Sequence, residues 1–202
     1  MTIVYEKNQL EEVIEQIKQG KVIAFPTDTV YGLGVRYFDE NALNRLKEAK
    51  GRPEDKPIPT MVANREQLAM VAEITPAITA ITEAFLPGAL TLVMKKKQEV
   101  PAYVTNHLDT IGVRMPNDPF VLALIEGSGA PMLVTSANLS GEATGTTFEQ
   151  VMEQLDGRID GIVKGECGCL SASTIIDVTG SQIKVLREGP ITKEAIERVL
   201  PK

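Results

Sequence analysis

The sequence has no tryptophan, one histidine (His107), two cysteines (Cys167 and Cys169) and only 4% aromatic residues among 202. Each scarcity removes a class of function. A lone histidine leaves a His-based zinc site or a Ser-His-Asp triad without partners, and His107 reads as a loop residue in Asn106-His-Leu-Asp109. Two thiols in a chain this long make no disulfide framework and fall short of a closed metal site, so Cys167 and Cys169 read as free thiols in a reducing compartment. Few aromatic rings mean few stacking platforms of the kind that single-stranded RNA recognition uses. No apolar run nears the ~20 residues that span a bilayer. Met1 to Glu15 lacks the basic start and apolar core of a secretory signal, so a cytoplasmic location with no membrane contact is expected. Missing too is the GxxxxGK[ST] loop, so a nucleotide would have to be held in another way. Ser181-Gln-Ile-Lys184 has the SxxK spacing, but no SDN or KTG follows it.

What is present is an ordinary globular composition, 43% hydrophobic and 24% charged, with 21 basic against 27 acidic residues and a net charge of −6. The acidic balance argues against a protein that coats nucleic acid with its whole surface, while a local basic pocket remains compatible with it. Asn8 is placed to cap a helix ending at Gly20, followed by a buried strand over Lys21–Pro26. A second helix opens at Asp39. Pro57–Ala63 reads as extended, and Asn64 with Gln67 reads as a capping box. Thr75-Pro76 starts a helix that stops before Pro87-Gly88. Strands follow at Ala89–Met94, Thr110–Met115 and Met132–Ser136, with a helix opened by Asp118-Pro119 between the last two. Thr147 with Gln150 forms another capping box. Strand-like runs at Gly161–Lys164, Ser173–Val178 and Lys184–Leu186 lead to a final helix after Thr192. The alternation predicts an α/β fold, a mixed sheet with helices packed on it. With no repeat or dividing linker, residues 1–202 read as one domain.

Chemistry-bearing residues gather in five connections: Pro26-Thr-Asp-Thr-Val-Tyr-Gly-Leu-Gly34, Lys50-Gly-Arg-Pro53 running to Lys56-Pro57, Pro87-Gly88, Ser136-Ala-Asn-Leu-Ser-Gly141 and Ser173-Thr-Ile-Ile-Asp177. Small hydroxyl, amide and glycine residues at strand ends let backbone approach a ligand and offer short hydrogen bonds. Lys50, Arg52, Lys56, Arg114 and Arg187 stand among them, enough positive charge for a triphosphate and a carboxylate.

In this order and spacing, PTDTVYGLG, KGRPEDKP, PGALTLV, GVRMPNDP, VTSANLSG and STIID followed by LREG resemble the YrdC-type family of threonylcarbamoyl-AMP synthases. The resemblance runs from near Lys7 to about Pro190 and looks like a short form with the synthase domain alone. It implies a twisted open α/β sheet around a basic concavity, and condensation of L-threonine, bicarbonate and ATP to threonylcarbamoyl-AMP for tRNA modification. It places Thr29, Arg114 and Ser173 on the substrate threonine. Lys50 and Arg52 face the phosphates with Lys56 close by, and Thr110, Ser136, Asn138, Thr144 and Arg187 line the ATP side. Met61 stands where some relatives carry a histidine that touches the threonine. Mg2+ is implied with ATP, its ligands unidentified, and the product would pass to a tRNA threonylcarbamoyl transferase.

No enzyme nucleophile is needed for this chemistry. A carbamate formed on the threonine amine attacks the α-phosphate of ATP, which calls for alignment and charge neutralisation. Two rival readings exist. A carbamoyl transferase that processes carbamoyl phosphate, as in hydrogenase maturation proteins, would carry cysteine-rich zinc modules. An RNA-binding maturation factor, or weak RNA contact beside catalysis, would draw on the basic cavity but is opposed by the acidic balance.

Overall fold

The computed structural model describes residues 1–53, 56–168, 171–180 and 182–201. Along the chain run β1 (Ile3–Tyr5), α1 (Leu10–Lys18), β2 (Ile23–Phe25), β3 (Gly32–Arg36), α2 (Glu40–Lys50), β4 (Thr60–Met61), α3 (Arg65–Val71), α4 (Pro76–Phe85) and β5 (Leu90–Lys95). A 3-10 turn (Ala102–Thr105) leads to β6 (Thr110–Arg114), α5 (Pro119–Ser128), β7 (Met132–Ser136), α6 (Phe148–Leu155), β8 (Gly161–Val163), β9 (Thr174–Asp177), β10 (Lys184–Arg187) and α7 (Lys193–Glu197). Among the described residues the strands form a single twisted, open sheet in the order β1-β8-β2-β3-β7-β4-β6-β5-β9-β10. Parallel and antiparallel pairs are mixed, as the alternation of elements predicts.

Most helix starts follow from local chemistry. Asp39, Thr75, Asp118, Thr147 and Thr192 each accept the backbone N–H three residues on, satisfying a donor that the first helical turn leaves free. Thr147 and Gln150 make the reciprocal capping box. Two starts differ from the sequence reading. The first helix is preceded by Gln9 rather than capped by Asn8, because the Gln9 side chain turns back to accept the Glu6 N–H. Asn64 caps α3, but Gln67 accepts from Ala63 N instead of closing the box on Asn64.

Strand alternation sorts side chains onto two faces. Leu33, Val35, Leu92, Ile111, Val113, Leu133 and Ile176 join one apolar cluster with residues of α2, α3, α4, α6 and α7. Ile23, Phe25, Met61, Met132 and Val134 join a second cluster with α1 and α5. That second cluster draws on strands from β1 to β4 in the spatial order and, among the described residues, on none of β6, β5, β9 and β10. One sheet face is therefore clothed along its length. The other is clothed at one end and open at the other.

Two strands were not legible as such. β1 lies at the sheet edge on β8, and Gly32–Arg36, part of a segment read as a connection, is a strand between β2 and β7. The glycines that suggested a turn serve close packing instead: a Cβ on Gly32 would stand 2.9 Å from Val134 Cγ1. At the far edge β10 carries a bulge. Val185 pairs with Ile176 but Arg187 pairs with Ile175, so Leu186 is an extra residue. In an unbulged strand Arg187 would turn toward the clothed face; the bulge turns it to the open one.

The core of α2 offers a check. Leu46 is fully buried in the first cluster whereas Met70 on α3 is exposed. Leu46→Ala should lower unfolding stability by ~2–5 kcal/mol, and Met70→Ala should stay within about 0.5 kcal/mol, both read by urea denaturation.

Candidate functional site

A cavity of about 290 Å³ opens on the unclothed end of the sheet. Its wall brings together Thr27 and Thr29 from the β2–β3 connection, Met61 from β4, Thr91 from β5, Arg114 from β6, Ser136 from β7, Ser173 just before β9, Arg187 from β10 and Arg52 just after α2. Pro57, Pro59, Val30 and Val134 supply apolar wall. Among the described residues three arginines and no carboxylate line it, a set that favours an anion.

Arg114 is 6% exposed, and burying a guanidinium costs several kcal/mol unless it is paired. It is fully engaged on one side: Nε donates to Gly88 O (3.3 Å), Nη1 to Thr29 Oγ1 (2.8 Å) and Nη2 to Asp28 Oδ1 (2.6 Å). Burial pulls its pKa down and Asp28 opposes the shift; an arginine remains charged regardless. Of five N–H groups, two are left for a ligand. Arg187 is held on the same rim, Nε donating to Ser173 O (2.9 Å) and Nη2 to Ser173 Oγ (3.1 Å). Its pKa is also lowered, first by burial and then by the nearby charge of Arg114. Gly189 makes this arrangement possible, since a Cβ there would lie 2.4 Å from Thr174 N. Arg52 donates to Lys56 O (3.2 Å) and Pro57 O (3.0 Å), fixing its head at the cavity mouth.

Six of the residues expected from the sequence thus meet at one cavity: Thr29, Arg52, Arg114, Ser136, Ser173 and Arg187. The others are placed differently. Lys50 is 2% exposed and does not face the cavity. Its Nζ donates to Ser136 O, to Asn138 O (2.6 Å) and to Asn138 Oδ1 (3.3 Å), so it ties the end of α2 to the loop after β7. Asn138 is likewise buried, its Nδ2 donating to Leu139 O and Glu142 O. Thr110 lies on an adjoining, mostly apolar trough that shares Pro57, Pro59, Thr91 and Ile175 with the cavity. Lys56 is exposed and Thr144 half-buried, both off the cavity wall. Glu54 and Asp55 of the KGRPEDKP stretch, Cys169 and Ser181 lie outside the described residues; Cys167 is a half-buried free thiol.

Sequence reading missed Asp28, Thr27 and Thr91. Thr91 had a usable signal: in Leu90-Thr-Leu92 the leucines claim the core face, which aims the hydroxyl to the opposite one. Asp28 had none, because its partner Arg114 is 86 residues away.

Comparison with known proteins gives concordant results. The family model Sua5/YciO/YrdC, described as "Telomere recombination", matches residues 15–189. The threonylcarbamoyl-AMP synthase of Pyrococcus abyssi is 44% identical over 186 residues, 91% of this chain and 55% of that protein. That of Bacillus subtilis is 40% identical over 195 residues, 95% of this chain and 56% of that protein. This chain thus spans about half the length of those two relatives. The crystal structure of P. abyssi Sua5 complexed with L-threonine superposes with a TM-score of 0.92 at 40% identity, covering 98% of this chain and 60% of that one.

The burial of Lys50 predicts a pH signature. Burial, and secondarily the charge of Arg52, pull its pKa from the ordinary 10.5 down to about 7. Between those values the unfolded chain holds a proton that the folded chain has released, so stability from this group rises with pH from about 7 to 10.5 and is level below 7. The slope is at most about 1.4 kcal/mol per pH unit. Urea unfolding at several pH values should show that slope in the unaltered protein and its loss in Lys50→Met; parallel pH profiles would mean that Lys50 stays charged when buried.

Proposed function

The chain belongs to the Sua5/YciO/YrdC family, and on that footing we propose that it condenses L-threonine, bicarbonate and ATP into threonylcarbamoyl-AMP and pyrophosphate, the activated intermediate for threonylcarbamoyladenosine formation in tRNA. The observation that carries this reading is the convergence of Thr29, Arg114 and Ser173 at one anion-favouring cavity, in a chain that superposes on a threonine-bound relative over 98% of its length.

The reaction asks little covalent chemistry of the protein. The threonine amine adds to CO2, supplied by bicarbonate, and loses a proton to give a carbamate. A carbamate oxygen then attacks the α-phosphorus, and pyrophosphate leaves with the bonding electrons. Arg114 takes the threonine carboxylate on its two remaining N–H groups, with Thr29 and Ser173 beside it. Arg52 and Arg187 neutralise the phosphates, and Ser136 meets the nucleotide from β7. Lys50 and Asn138 act behind the wall by holding the Ser136 loop. Thr110 in the trough serves the far end of the nucleotide, while Lys56 and Thr144 contribute only if their segments move inward.

Among the described residues no group of three or more His, Cys, Asp or Glu could hold a metal ion. Those described side chains form no resident Mg2+ site; an Mg2+ bound with ATP would supply charge neutralisation at the phosphates. Among the same residues no helix is long and apolar enough to cross a membrane. A cytoplasmic location, and delivery of the product to a tRNA threonylcarbamoyl transferase, accord with the reading.

Pyrophosphate release should require threonine and bicarbonate together. Release at an equal rate with threonine omitted would exclude a threonine site. Within the active enzyme, Arg52→Ala should lower kcat by ~10²–10³ through lost charge stabilisation, with little change in the Michaelis constant for threonine. Arg114→Lys should raise that constant, because an ammonium cannot replace a planar fork. Steady-state kinetics on variants verified as folded would separate the two effects, and their reversal would exchange the two halves of the site.

A further inference from the structure

The number of hydrogens that each hydroxyl owns limits what it can offer a ligand. Thr27 has one hydroxyl hydrogen and gives it to Val30 O (2.8 Å), while its oxygen accepts the Thr29 N–H (3.1 Å). The Thr27–Thr29 hydroxyl contact of 3.1 Å must therefore be donated by Thr29. Thr29 Oγ1 also accepts from Arg114 Nη1. With its hydrogen spent and one lone pair taken, Thr29 can offer a ligand only an acceptor.

The Thr91–Ser173 pair behaves in the other sense. Ser173 Oγ accepts from Arg187 Nη2 (3.1 Å) and lies 2.9 Å from Thr91 Oγ1. If Thr91 donates to Ser173, the serine hydrogen is free; if Ser173 donates to Thr91, the threonine hydrogen is free. Either way one O–H is left over, and both residues line the cavity. Their positions are fixed: Thr91 is turned away from the core by its leucine neighbours and pairs with Ile175 next along from Ser173.

We infer that Thr91 is a further ligand-binding residue, which with Ser173 forms one hydroxyl pair presenting a single O–H donor to the cavity, whereas Thr29 can only accept. The inference rests on the threonine reading above and deepens it by orienting the substrate. The carboxylate lies toward Arg114 and the Thr91–Ser173 pair, which have hydrogens left to donate. The amine lies toward Thr29, to which it donates an N–H while keeping its lone pair for carbon. Because the spare hydrogen can sit on either oxygen, losing one hydroxyl leaves the other free to donate.

The test is a double-mutant cycle read by calorimetric titration of L-threonine, with folding checked by thermal melting. Thr91→Val and Ser173→Ala should each weaken binding by roughly threefold or less, and the double variant by at least about tenfold more than the product of the two. Thr91→Ser in the Ser173→Ala background keeps a hydroxyl and should bind like Ser173→Ala alone. With L-threoninol, which lacks the carboxylate, the excess loss should vanish. Additive single effects, failure of Thr91→Ser to rescue, or an excess that persists with threoninol would each overturn the assignment. So would an excess seen only in binding of a β,γ-methylene ATP analogue, which would put the donor on the nucleotide. A folded, unaltered protein that binds no threonine would instead sink the reading of function, and this assignment with it.

Discussion

The architecture of the site turns on the burial of one guanidinium. Arg114 ends a central strand, and its head lies where water is scarce, so every group around it must help keep it there. Asp28 supplies the countercharge, Thr29 and Gly88 the remaining acceptors. These partners come from two different loops, which are thereby pinned to the end of β6. Removing one partner would leave a buried charge short of a bond, a penalty larger than the bond itself was worth. The same demand explains why the loop after β2 packs so closely. Tyr31 reaches across to Val163 O and Gly165 O, and Gly168 lies against the Asp28 backbone, where a Cβ would stand 3.0 Å from Asp28 O.

Charge is distributed unevenly at two scales. The chain as a whole is acidic, yet among the described residues the cavity wall carries arginine and no carboxylate. Such a contrast concentrates the positive potential in the concavity, where low-dielectric walls hold field lines together. An anionic ligand is drawn to the cavity.

How much of this could be read in the sequence depends on how far each residue's partner lies along the chain. Helix starts at Asp39, Thr75, Asp118, Thr147 and Thr192 were legible because the cap and the N–H it accepts are three residues apart. β3 was not, because its identity comes from β2 and β7 on either side, and its glycines resemble turn residues until those neighbours are known. The site followed the same division. Residues in hydroxyl- and arginine-rich motifs, such as Thr29, Arg114 and Ser173, were found and do converge. Lys50, at the end of a charged helix, reads in the sequence as phosphate-facing, and only the carbonyls of Ser136 and Asn138, distant along the chain, show where its head is held in this structure. Asp28 was not legible because its partner is more than 80 residues distant; the alternation around Thr91 shows which face it takes, and only a partner also more than 80 residues away shows what it meets there.

The bulge in β10 has a bearing on how this edge can vary in length. Arg187 owes its aim to pairing with Ile175, not to its count from the start of the strand, and Leu186 is the residue the ladder does not use. A sequence one residue shorter here would close the ladder into a regular strand and still deliver the arginine to the cavity, giving up only the local twist. A one-residue change after Arg187, between it and Gly189, has no such slack, because Gly189 is seated on the Thr174 backbone and fixes the chain from the other side. The edge strand therefore tolerates a change of frame on one side of its functional residue and forbids it on the other.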